Sequence, residues 1–173
     1  MTTTEFKQLV LPIGKKLFHF ARLLLNNETE AEDAIQEIYL KLWKIRDRLT
    51  SVNNIEAFAM KMTKNWCLDR LKAKKPLLVD SYSNGYDSEP DSNNPHTVLE
   101  TSDKLKRLYY LMQQLPEQQR IIVQLRDVEG YEFEEIAEIT GINLNAVRVN
   151  LSRARQKIRE NMLKTENYGP EKN

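Results

Sequence analysis

The stretch Glu134-Glu-Ile-Ala-Glu-Ile-Thr-Gly-Ile-Asn-Leu-Asn-Ala-Val-Arg-Val-Asn-Leu-Ser-Arg-Ala-Arg-Gln-Lys-Ile-Arg159 contains two apolar repeats separated by a glycine. On each side of Gly141 apolar residues recur at steps of three and four, the spacing of one face of an α-helix. Asn143 stands where a capping residue would begin the second helix. A short helix, a tight turn and a longer helix in this order predict a helix-turn-helix, a motif that reads duplex DNA.

The two predicted helices differ in the faces that they leave exposed. The first places one apolar face at Phe133, Ile136, Ala137 and Thr140. The second has a buried stripe, and residues 144–164 hold six basic residues and a single acid, Glu160. Because arginine pairs with guanine edges and phosphates, this basic surface favours DNA binding over the alternative of a solvated basic face. The stripe predicted to be buried is Leu144, Val147, Leu151, Ala154 and Ile158.

Outward from this motif, the rest of the chain also has helical character. The 173 residues include only 5 glycines, and no segment alternates apolar and polar residues as a strand would. Thr29 and Glu32 match a capping box near the start of one helix. The pattern predicts an all-α protein with helices over residues 5–25, 30–46, 55–74, 98–114, 117–128, 132–139 and 144–164.

Charge divides the chain into blocks. Residues 1–75 hold 14 Lys or Arg against 9 Asp or Glu, residues 76–103 hold none against 6, and residues 104–173 hold 12 against 10. The middle block is rich in Ser, Asn, Asp and Pro and has no sustained apolar period, as linkers do. The sequence therefore predicts two small helical domains, 1–75 and 104–165, an acidic flexible linker at 76–103 and a tail at 166–173.

Several classes of protein are disfavoured by composition. Cys67 is the single cysteine and His19 and His96 are the two histidines, which argues against an internal disulfide or a metal site. The N-terminus lacks the features of a signal peptide, and no apolar run approaches the ~20 residues that span a bilayer. We expect a cytoplasmic protein without membrane insertion. No phosphate-binding loop or activated nucleophile is evident, so neither catalytic residues nor a cofactor are predicted.

Longer segments of the chain resemble one family. Residues 115–141 and the continuation Ala146-Val-Arg-Val-Asn-Leu-Ser-Arg-Ala-Arg-Gln-Lys157 look like region 4 of an extracytoplasmic-function (ECF) sigma factor. Ala31-Glu-Asp-Ala-Ile-Gln-Glu-Ile-Tyr-Leu-Lys-Leu-Trp43 resembles region 2.2 of that family, and residues 57–72 resemble regions 2.3 and 2.4. The resemblance implies an alternative-type sigma factor that binds core RNA polymerase and directs promoter recognition and transcription initiation. It also implies an anti-sigma factor as a partner.

Region 2.2 of the family docks on core polymerase, and this chain has a suitable face. One apolar stripe of the predicted helix already supplies its core side, at Ala31, Ile35, Ile38, Leu42 and Ile45. A second face of the same helix mixes polar and apolar side chains, as protein interfaces often do. Trp43 is expected to pack under the N-terminal helix instead. The residues predicted to bind core polymerase are Asp33, Gln36, Glu37 and Leu40.

The next predicted helix is amphipathic and basic. Its core side is predicted at Ile55, Phe58, Ala59, Met62 and Trp66, and Asp69 falls on the same side as a buried hydrogen-bonding group. By resemblance, this helix and the loop before it hold the melted minus-10 element, with one base flipped into a loop pocket. The predicted minus-10 contacts are Ser51, Asn53, Asn54, Lys61, Lys64, Asn65 and Lys72.

By the same resemblance, the helix-turn-helix reads the minus-35 duplex. The chain departs from the family at Glu132, where a Ser or Thr usually caps the first helix, although an acid there still suits the helix dipole. Val149 and Ser152 replace more polar or aromatic groups, so no minus-35 sequence is inferred. The predicted minus-35 contacts are Asn145, Arg148, Val149, Ser152, Arg153 and Arg155.

Two other functions fit parts of the sequence. An autonomous helix-turn-helix regulator would bind duplex DNA without polymerase, usually as a dimer. A pure interaction protein, such as one that sequesters a sigma factor, would use the helical faces without DNA. Binding to core polymerase, followed by transcription from a cognate promoter, distinguishes the sigma factor from both.

Overall fold

The structure, a computed structural model, describes residues 1–78 and 103–167, and every regular element in these two ranges is helical. The all-α prediction is confirmed. The helices form two compact units, one drawn mainly from the N-terminal part of the chain and the other mainly from the C-terminal part. The predicted linker falls largely on residues 79–102, and the predicted tail largely on 168–173, both outside the described residues. Within the described ranges, no helix has the length and apolarity to cross a membrane.

The first unit is built on helix α2, which packs against α3 and α5, while α3 also packs against α5. Leu17, Phe20, Ile38 and Leu42 are completely buried between these helices and form the centre of the core. Burying such side chains is the main stabilising contribution to a small helical unit. The helices are α1 (Thr3–Val10), α2 (Gly14–Leu25), α3 (Glu28–Lys44), α4 (Arg46–Leu49) and α5 (Ile55–Leu78).

The predicted helix over residues 5–25 is wrong as a single element. The chain forms α1, then a 3₁₀ turn at Leu11–Ile13, then α2. Pro12 lies inside this turn and has no backbone N–H to donate, so the α-helical hydrogen-bond ladder is interrupted there. The apolar period on both sides of the turn is continuous, which is why the pattern alone suggested one helix.

The capping box predicted at Thr29 is also wrong. α3 begins at Glu28, and its cap is Asn27, whose side-chain oxygen accepts a hydrogen bond from the Glu30 backbone N–H at 2.9 Å. Asn26 ends α2 in a left-handed conformation with φ of 50°, so the two helices are joined by only two residues. Thr29 therefore already lies inside the first turn of α3.

The face of α5 that packs into the core differs from the prediction by one residue. The side predicted to be buried was Ile55, Phe58, Ala59, Met62 and Trp66, but only Ala59 among them is fully buried. The structure buries Ala59, Met60, Thr63 and Cys67, a rotation of about 100°. Small side chains allow α5 to lie close to its neighbours, and the buried Thr63 hydroxyl donates to the Ala59 carbonyl at 2.9 Å.

This rotation changes the positions of Asp69 and Trp66. Asp69, predicted as a buried hydrogen-bonding group, is exposed. Trp66, predicted as a core residue, is half-buried, and the Arg70 guanidinium lies over its ring at 5.7 Å from the centroid. Large apolar side chains were taken to mark the core side, whereas the smaller residues occupy it.

The second unit is arranged around the last helix, which packs against both α6 and α7. The helices are α6 (Asp103–Gln113), α7 (Glu117–Val123), α8 (Phe133–Thr140) and α9 (Leu144–Asn167). The predicted helix over 98–114 begins at Asp103 in the structure, and residues 98–102 lie outside the described part. On α8, Ile136 and Ile139 are completely buried, so the predicted apolar face was correct at Ile136 and missed Ile139.

The predicted helix over residues 117–128 changes type before its end. Gln124–Val128 form a π-helical turn, in which the Glu129 N–H donates to the Gln124 carbonyl at 3.0 Å. Gly130 then takes a φ of 78°, and the buried Tyr131 donates its N–H to the Leu125 carbonyl at 2.9 Å. π-helical turns often occur at functional sites, and this one places Asp127 beside the helix-turn-helix.

Candidate nucleic-acid interface

The longer helix of the motif buries the predicted stripe. Val147, Leu151 and Ala154 are at most 2% exposed, and Leu144 and Ile158 at its ends are half-buried. Gly141 ends α8 in a left-handed conformation with φ of 75°, as a tight turn requires. The Asn143 side chain then caps α9, accepting a hydrogen bond from the Ala146 N–H at 2.8 Å. The helix-turn-helix is therefore confirmed as local structure.

The opposite side of α9 is open to a partner. All six residues predicted as minus-35 contacts have exposed side chains, and Val149 is 45% exposed although it is apolar. Gln156 is exposed on the same side and was missed by the sequence analysis. Its position four residues after Ser152 and three after Arg153 is the signal that would have identified it. The six predicted contacts are Asn145, Arg148, Val149, Ser152, Arg153 and Arg155.

Two aromatic–cation contacts surround the start of α8. The Arg148 guanidinium lies 5.6 Å from the centroid of the Phe133 ring, and the Arg126 guanidinium lies 4.6 Å from it. Arg126 also donates to the Tyr131 carbonyl at 2.8 Å. Cations over an aromatic face are attracted by its quadrupole, so Phe133 restrains two arginines at once.

Arg155 has an acidic partner that the sequence analysis did not identify. Its Nε donates to Asp127 Oδ2 at 3.0 Å and its Nη2 donates to Asp127 Oδ1 at 2.5 Å. These hydrogen bonds raise the pKa of Arg155 above its usual value. Arg155 thus faces the exposed surface with part of its guanidinium already engaged. The two residues are 28 positions apart, so helical spacing within one element does not reveal the contact.

The basic side of α9 includes a groove, which we call the arginine groove. Its floor includes Leu151, and three guanidinium groups line it. Such a surface suits a phosphate, because guanidinium donors match phosphate oxygens in charge and geometry. The residues that line the arginine groove are Phe133, Arg148, Leu151, Ser152, Arg155, Gln156 and Arg159.

Glu132, the departure from the usual capping residue, does begin α8. Its backbone N–H donates to the Glu135 side chain at 2.9 Å, as in a capping box. Its carboxylate also lies 3.4 Å from Arg126 Nη1. The expectation that an acid at this position is compatible with the fold is confirmed.

In the first unit, α3 exposes the face predicted to bind core polymerase. Asp33, Gln36, Glu37 and Leu40 are all exposed, and their spacing of three, four and seven residues puts them on one side. Leu40 is 54% exposed, so this face presents a large apolar side chain to solvent. The buried stripe was predicted correctly at Ala31, Ile35, Ile38 and Leu42, while Ile45 is half-buried.

Trp43 does not belong to this exposed face. Its ring meets the Phe6 ring edge-to-face, with centroids 5.0 Å apart, and the Arg46 guanidinium covers it at 4.4 Å from the centroid. Phe6 is buried on α1. The prediction that Trp43 packs under the N-terminal helix is confirmed, and the structure gives it a stabilising role.

Three of the four predicted minus-10 residues of α5 share one exposed side of the helix. Lys61, Asn65 and Lys72 are exposed and lie on the side away from the buried Met60 and Cys67, whereas Lys64 is half-buried at the border with the core side. This alignment survives the rotation of the core face. A row of lysines flanking an amide is suited to the phosphates and base edges of a nucleic acid.

The loop before α5 contains the other predicted minus-10 residues. Ser51 and Asn53 are exposed, and the Ser51 hydroxyl donates to the Arg48 carbonyl at 2.8 Å. Asn54 is half-buried, and its side-chain oxygen accepts the Ala57 N–H at 2.9 Å, which caps α5. The structure therefore gives Asn54 a structural role in addition to the predicted one.

Comparison with known families assigns both units. Residues 9–76 match the family model described as sigma-70 region 2, and residues 105–158 match the one described as sigma-70, region 4. The two matches cover the helices that carry the exposed faces of α3, α5 and α9.

Individual sigma factors are also similar to this chain in sequence. The chain is 30% identical over 161 residues to the RNA polymerase sigma factor CarQ of Myxococcus xanthus, covering 90% of this chain and 87% of that protein. It is 28% identical over 166 residues to the ECF RNA polymerase sigma factor SigE of Mycolicibacterium smegmatis, covering 92% of this chain. The chain spans 62% of the length of SigE.

Solved structures share the fold. The sigma factor RpoE in complex with the anti-sigma factor NepR, from Bartonella quintana, superposes with a TM-score of 0.74 at 23% identity, covering 91% of this chain and 96% of that one. CnrH in complex with the cytosolic domain of CnrY gives a TM-score of 0.68 at 21% identity, covering 93% and 89%.

Proposed function

The chain belongs to the ECF group of RNA polymerase sigma factors, and on this premise we propose how its exposed faces perform the function of that group. An alternative sigma factor binds core RNA polymerase and directs it to promoters for transcription initiation. The DNA-binding and polymerase-binding surfaces carry this function, and the polymerase carries out the synthesis of RNA. We place the protein in the cytoplasm, where polymerase acts.

Core polymerase binds the exposed face of α3 in this proposal. The face combines two carboxylates, an amide and Leu40, and it has no role in the core of its own unit. Interfaces commonly combine an apolar centre with polar groups that fix orientation. The proposed polymerase contacts are Asp33, Gln36, Glu37 and Leu40.

The same unit engages the minus-10 element. The lysines of α5 neutralise backbone phosphates, Asn65 reads an exposed base, and the loop residues Ser51 and Asn53 hold a flipped base. Asn54 contributes mainly by holding the end of this loop on α5 through its cap. The second unit reads the minus-35 duplex with the exposed side of α9. The observation that carries the proposal is that α9 buries one apolar stripe and leaves its basic side exposed.

An anti-sigma factor is the proposed regulatory partner. Two of the structurally similar proteins, RpoE and CnrH, are seen in complexes with NepR and with the cytosolic domain of CnrY respectively. A protein that covers the exposed face of α3 or α9 would prevent holoenzyme formation or promoter binding. Competition of such a partner with core polymerase at α3, or with promoter DNA at α9, is therefore the expected mode of control.

The proposal is tested with the full chain and bacterial core polymerase. The reconstituted holoenzyme is used to select duplexes from a randomised DNA pool, and the selected duplexes are then used as templates for transcription. We expect enrichment of a two-part sequence and transcripts that depend on the added chain. An autonomous regulator would instead enrich DNA without polymerase, and a sequestering protein would enrich none. Either result would contradict the proposal.

The polymerase contact has a matched pair of variants. Glu37→Lys reverses a charge within the proposed face, and Glu32→Lys makes the same charge change at an exposed position on the flank of α3. We expect Glu37→Lys to weaken core binding by about tenfold or more, because like charges or unpaired groups in an interface are costly. Glu32→Lys should bind almost as the unaltered chain does. Equal losses of polymerase affinity in both variants would contradict the assignment of this α3 face to polymerase binding.

A further inference from the structure

The contact between Asp127 and Arg155 lies at the edge of the arginine groove. Asp127 belongs to the π-helical turn, and Arg155 lies on α9. The pair is partly exposed, at 35% for the Asp127 side chain and 48% for the Arg155 side chain. Solvent screening at this exposure limits what the pair contributes to folding stability, which leaves room for a second role in how Arg155 is held.

The bidentate geometry leaves part of the guanidinium available. An arginine side chain has five N–H donors, and the contact with Asp127 uses one on Nε and one on Nη2. The donors on Nη1 and the second donor on Nη2 remain. A carboxylate that holds one edge of a guanidinium fixes the plane of the other edge, which lowers the entropy lost when that edge binds an anion.

The position of Arg155 on α9 determines which part of a DNA duplex it can reach. At about 100° per residue, Arg148, Arg155 and Arg159 lie on the flank of the helix, between its buried stripe and its outward side. Asn145, Val149, Ser152, Arg153 and Gln156 lie further outward. When a helix enters the major groove, its outward side faces the bases and its flank faces the sugar-phosphate wall.

The second guanidinium of the flank is restrained as well. Arg148 lies over the Phe133 ring, whose other cation contact is Arg126. Two arginines of the arginine groove are thus held by groups outside α9, one by an aromatic ring and one by a carboxylate. This arrangement prepares a site for a tetrahedral anion with several negatively charged oxygens, and the DNA backbone supplies such anions.

We propose that the arginine groove binds a backbone phosphate of the minus-35 duplex and that Asp127 is a positioning residue that holds Arg155 for this contact. The inference rests on the proposed function and deepens it, because it separates phosphate-binding from base-reading residues on α9. Arg148 and Arg155 position the duplex, while the outward residues read its sequence. Asp127 contributes without touching DNA.

A simpler role for Asp127 predicts the opposite result. If its carboxylate only neutralised Arg155, then Asp127→Asn would add net positive charge to the surface. DNA binding would become tighter and more dependent on salt. If Asp127 positions Arg155, the same substitution frees the guanidinium to move, and binding becomes weaker. The sign of the change distinguishes the two roles.

The test is a double-mutant cycle on the holoenzyme with a duplex that it has selected from the randomised pool. Dissociation constants are measured over a range of salt concentrations for the unaltered chain, Asp127→Asn, Arg155→Gln and the double variant. We expect each single variant to weaken binding by roughly three- to tenfold and to reduce the salt slope by about 1, the loss of one phosphate contact. The double variant should be no worse than Arg155→Gln alone.

The control duplex carries a scrambled minus-35 element. Because a phosphate contact is independent of sequence, both single variants should weaken binding to the selected and scrambled duplexes by the same factor. Tighter binding by Asp127→Asn, an unchanged salt slope, or additive losses in the double variant would overturn the positioning role. Failure of the unaltered holoenzyme to select any duplex would instead contradict the proposed function, so the two failures are distinguishable.

Discussion

Gly14 is the first residue of α2, and it lies against the side chain of Tyr39 on α3. A Cβ atom added at Gly14 would overlap the Tyr39 hydroxyl and lie 3.1 Å from Cζ of the ring. The burial of this tyrosine also raises the pKa of its hydroxyl. The absence of a side chain at Gly14 therefore lets α2 and α3 approach closely where the chain leaves its 3₁₀ turn.

Gly14→Ala should destabilise the first unit. Overpacking costs about 1–3 kcal/mol, and the better helix propensity of alanine offsets part of that cost, so we expect a net loss of about 1 kcal/mol. Urea unfolding followed by circular dichroism measures it. Tyr39→Phe provides the matched background, because it removes the overlapping oxygen. An equal loss from Gly14→Ala in both backgrounds would show that the Tyr39 hydroxyl is not the cause.

Arg153 and Arg148 should contribute differently to recognition of the minus-35 duplex. Arg153→Ala is expected to weaken binding to a selected duplex by about 1–3 kcal/mol and to reduce discrimination against a scrambled one, since Arg153 points outward from the core of its unit. Arg148→Ala should weaken binding to both duplexes, since Arg148 lies on the flank of α9.

The measurement is holoenzyme binding to the two duplexes by fluorescence anisotropy, with core binding of each variant checked separately. Core binding should be retained in both variants, because neither residue lies on the α3 face. Loss of polymerase from Arg148→Ala and Arg153→Ala alike would contradict the assignment of α9 to DNA.

Among the helices, the start of α3 offers a direct test of local structure. Asn27→Ala removes the side chain that caps the Glu30 N–H and should cost about 1 kcal/mol of unfolding free energy. Thr29→Ala changes an exposed residue inside the first turn and should have an effect close to zero. The midpoints of urea unfolding compare the two variants. A larger loss of unfolding free energy in Thr29→Ala than in Asn27→Ala would show that Thr29 caps α3, as the sequence pattern predicted.

The helices show which features the sequence could predict. Periodicity identified α3 and α9 and their buried stripes, because large aliphatic residues such as Ile38 and Leu151 lie within each stripe. It failed for α5, whose core side is made of alanine, threonine, cysteine and methionine. The break at Pro12 was missed because apolar spacing continues through it. Size and hydrophobicity alone therefore did not identify the core side of α5, where most of the buried side chains are small.

The candidate site was predictable to a similar extent. Residues exposed on one helix, such as Asp33 and Arg153, follow from the spacing of the buried stripe. The contact of Arg155 with Asp127 does not, because it depends on a π-helical turn that places an acid from another element beside α9. Relations between elements are fixed by tertiary packing, which local patterns do not contain.

For the molecule as a whole, the reactivity of the Cys67 thiol measures how often the first unit unfolds locally or globally. Cys67 is the one cysteine of the chain, it is completely buried, and burial raises the pKa of its thiol to about 12. At pH 8 we expect a thiol reagent to modify it at least about a hundredfold more slowly than a free thiol, with full reactivity restored in urea.

The control for this experiment is Ser152→Cys in a Cys67→Ala background, which places the thiol on an exposed side of α9. It should react at nearly the rate of a free thiol without denaturant. Fast modification of Cys67 in the folded chain would mean that the packing of α5 is looser than the buried side chain indicates.

The rotated core face of α5 implies an unusual pattern of mutational tolerance. In most amphipathic helices the large apolar positions are the most sensitive to substitution. Here a saturation scan should find Phe58, Met62 and Trp66 comparatively permissive for folding, because they are half-buried. Ala59 and Thr63 should reject most larger residues. Natural variation of this helix would then accumulate on its bulky side, where it changes the surface offered to partners and leaves the scaffold intact.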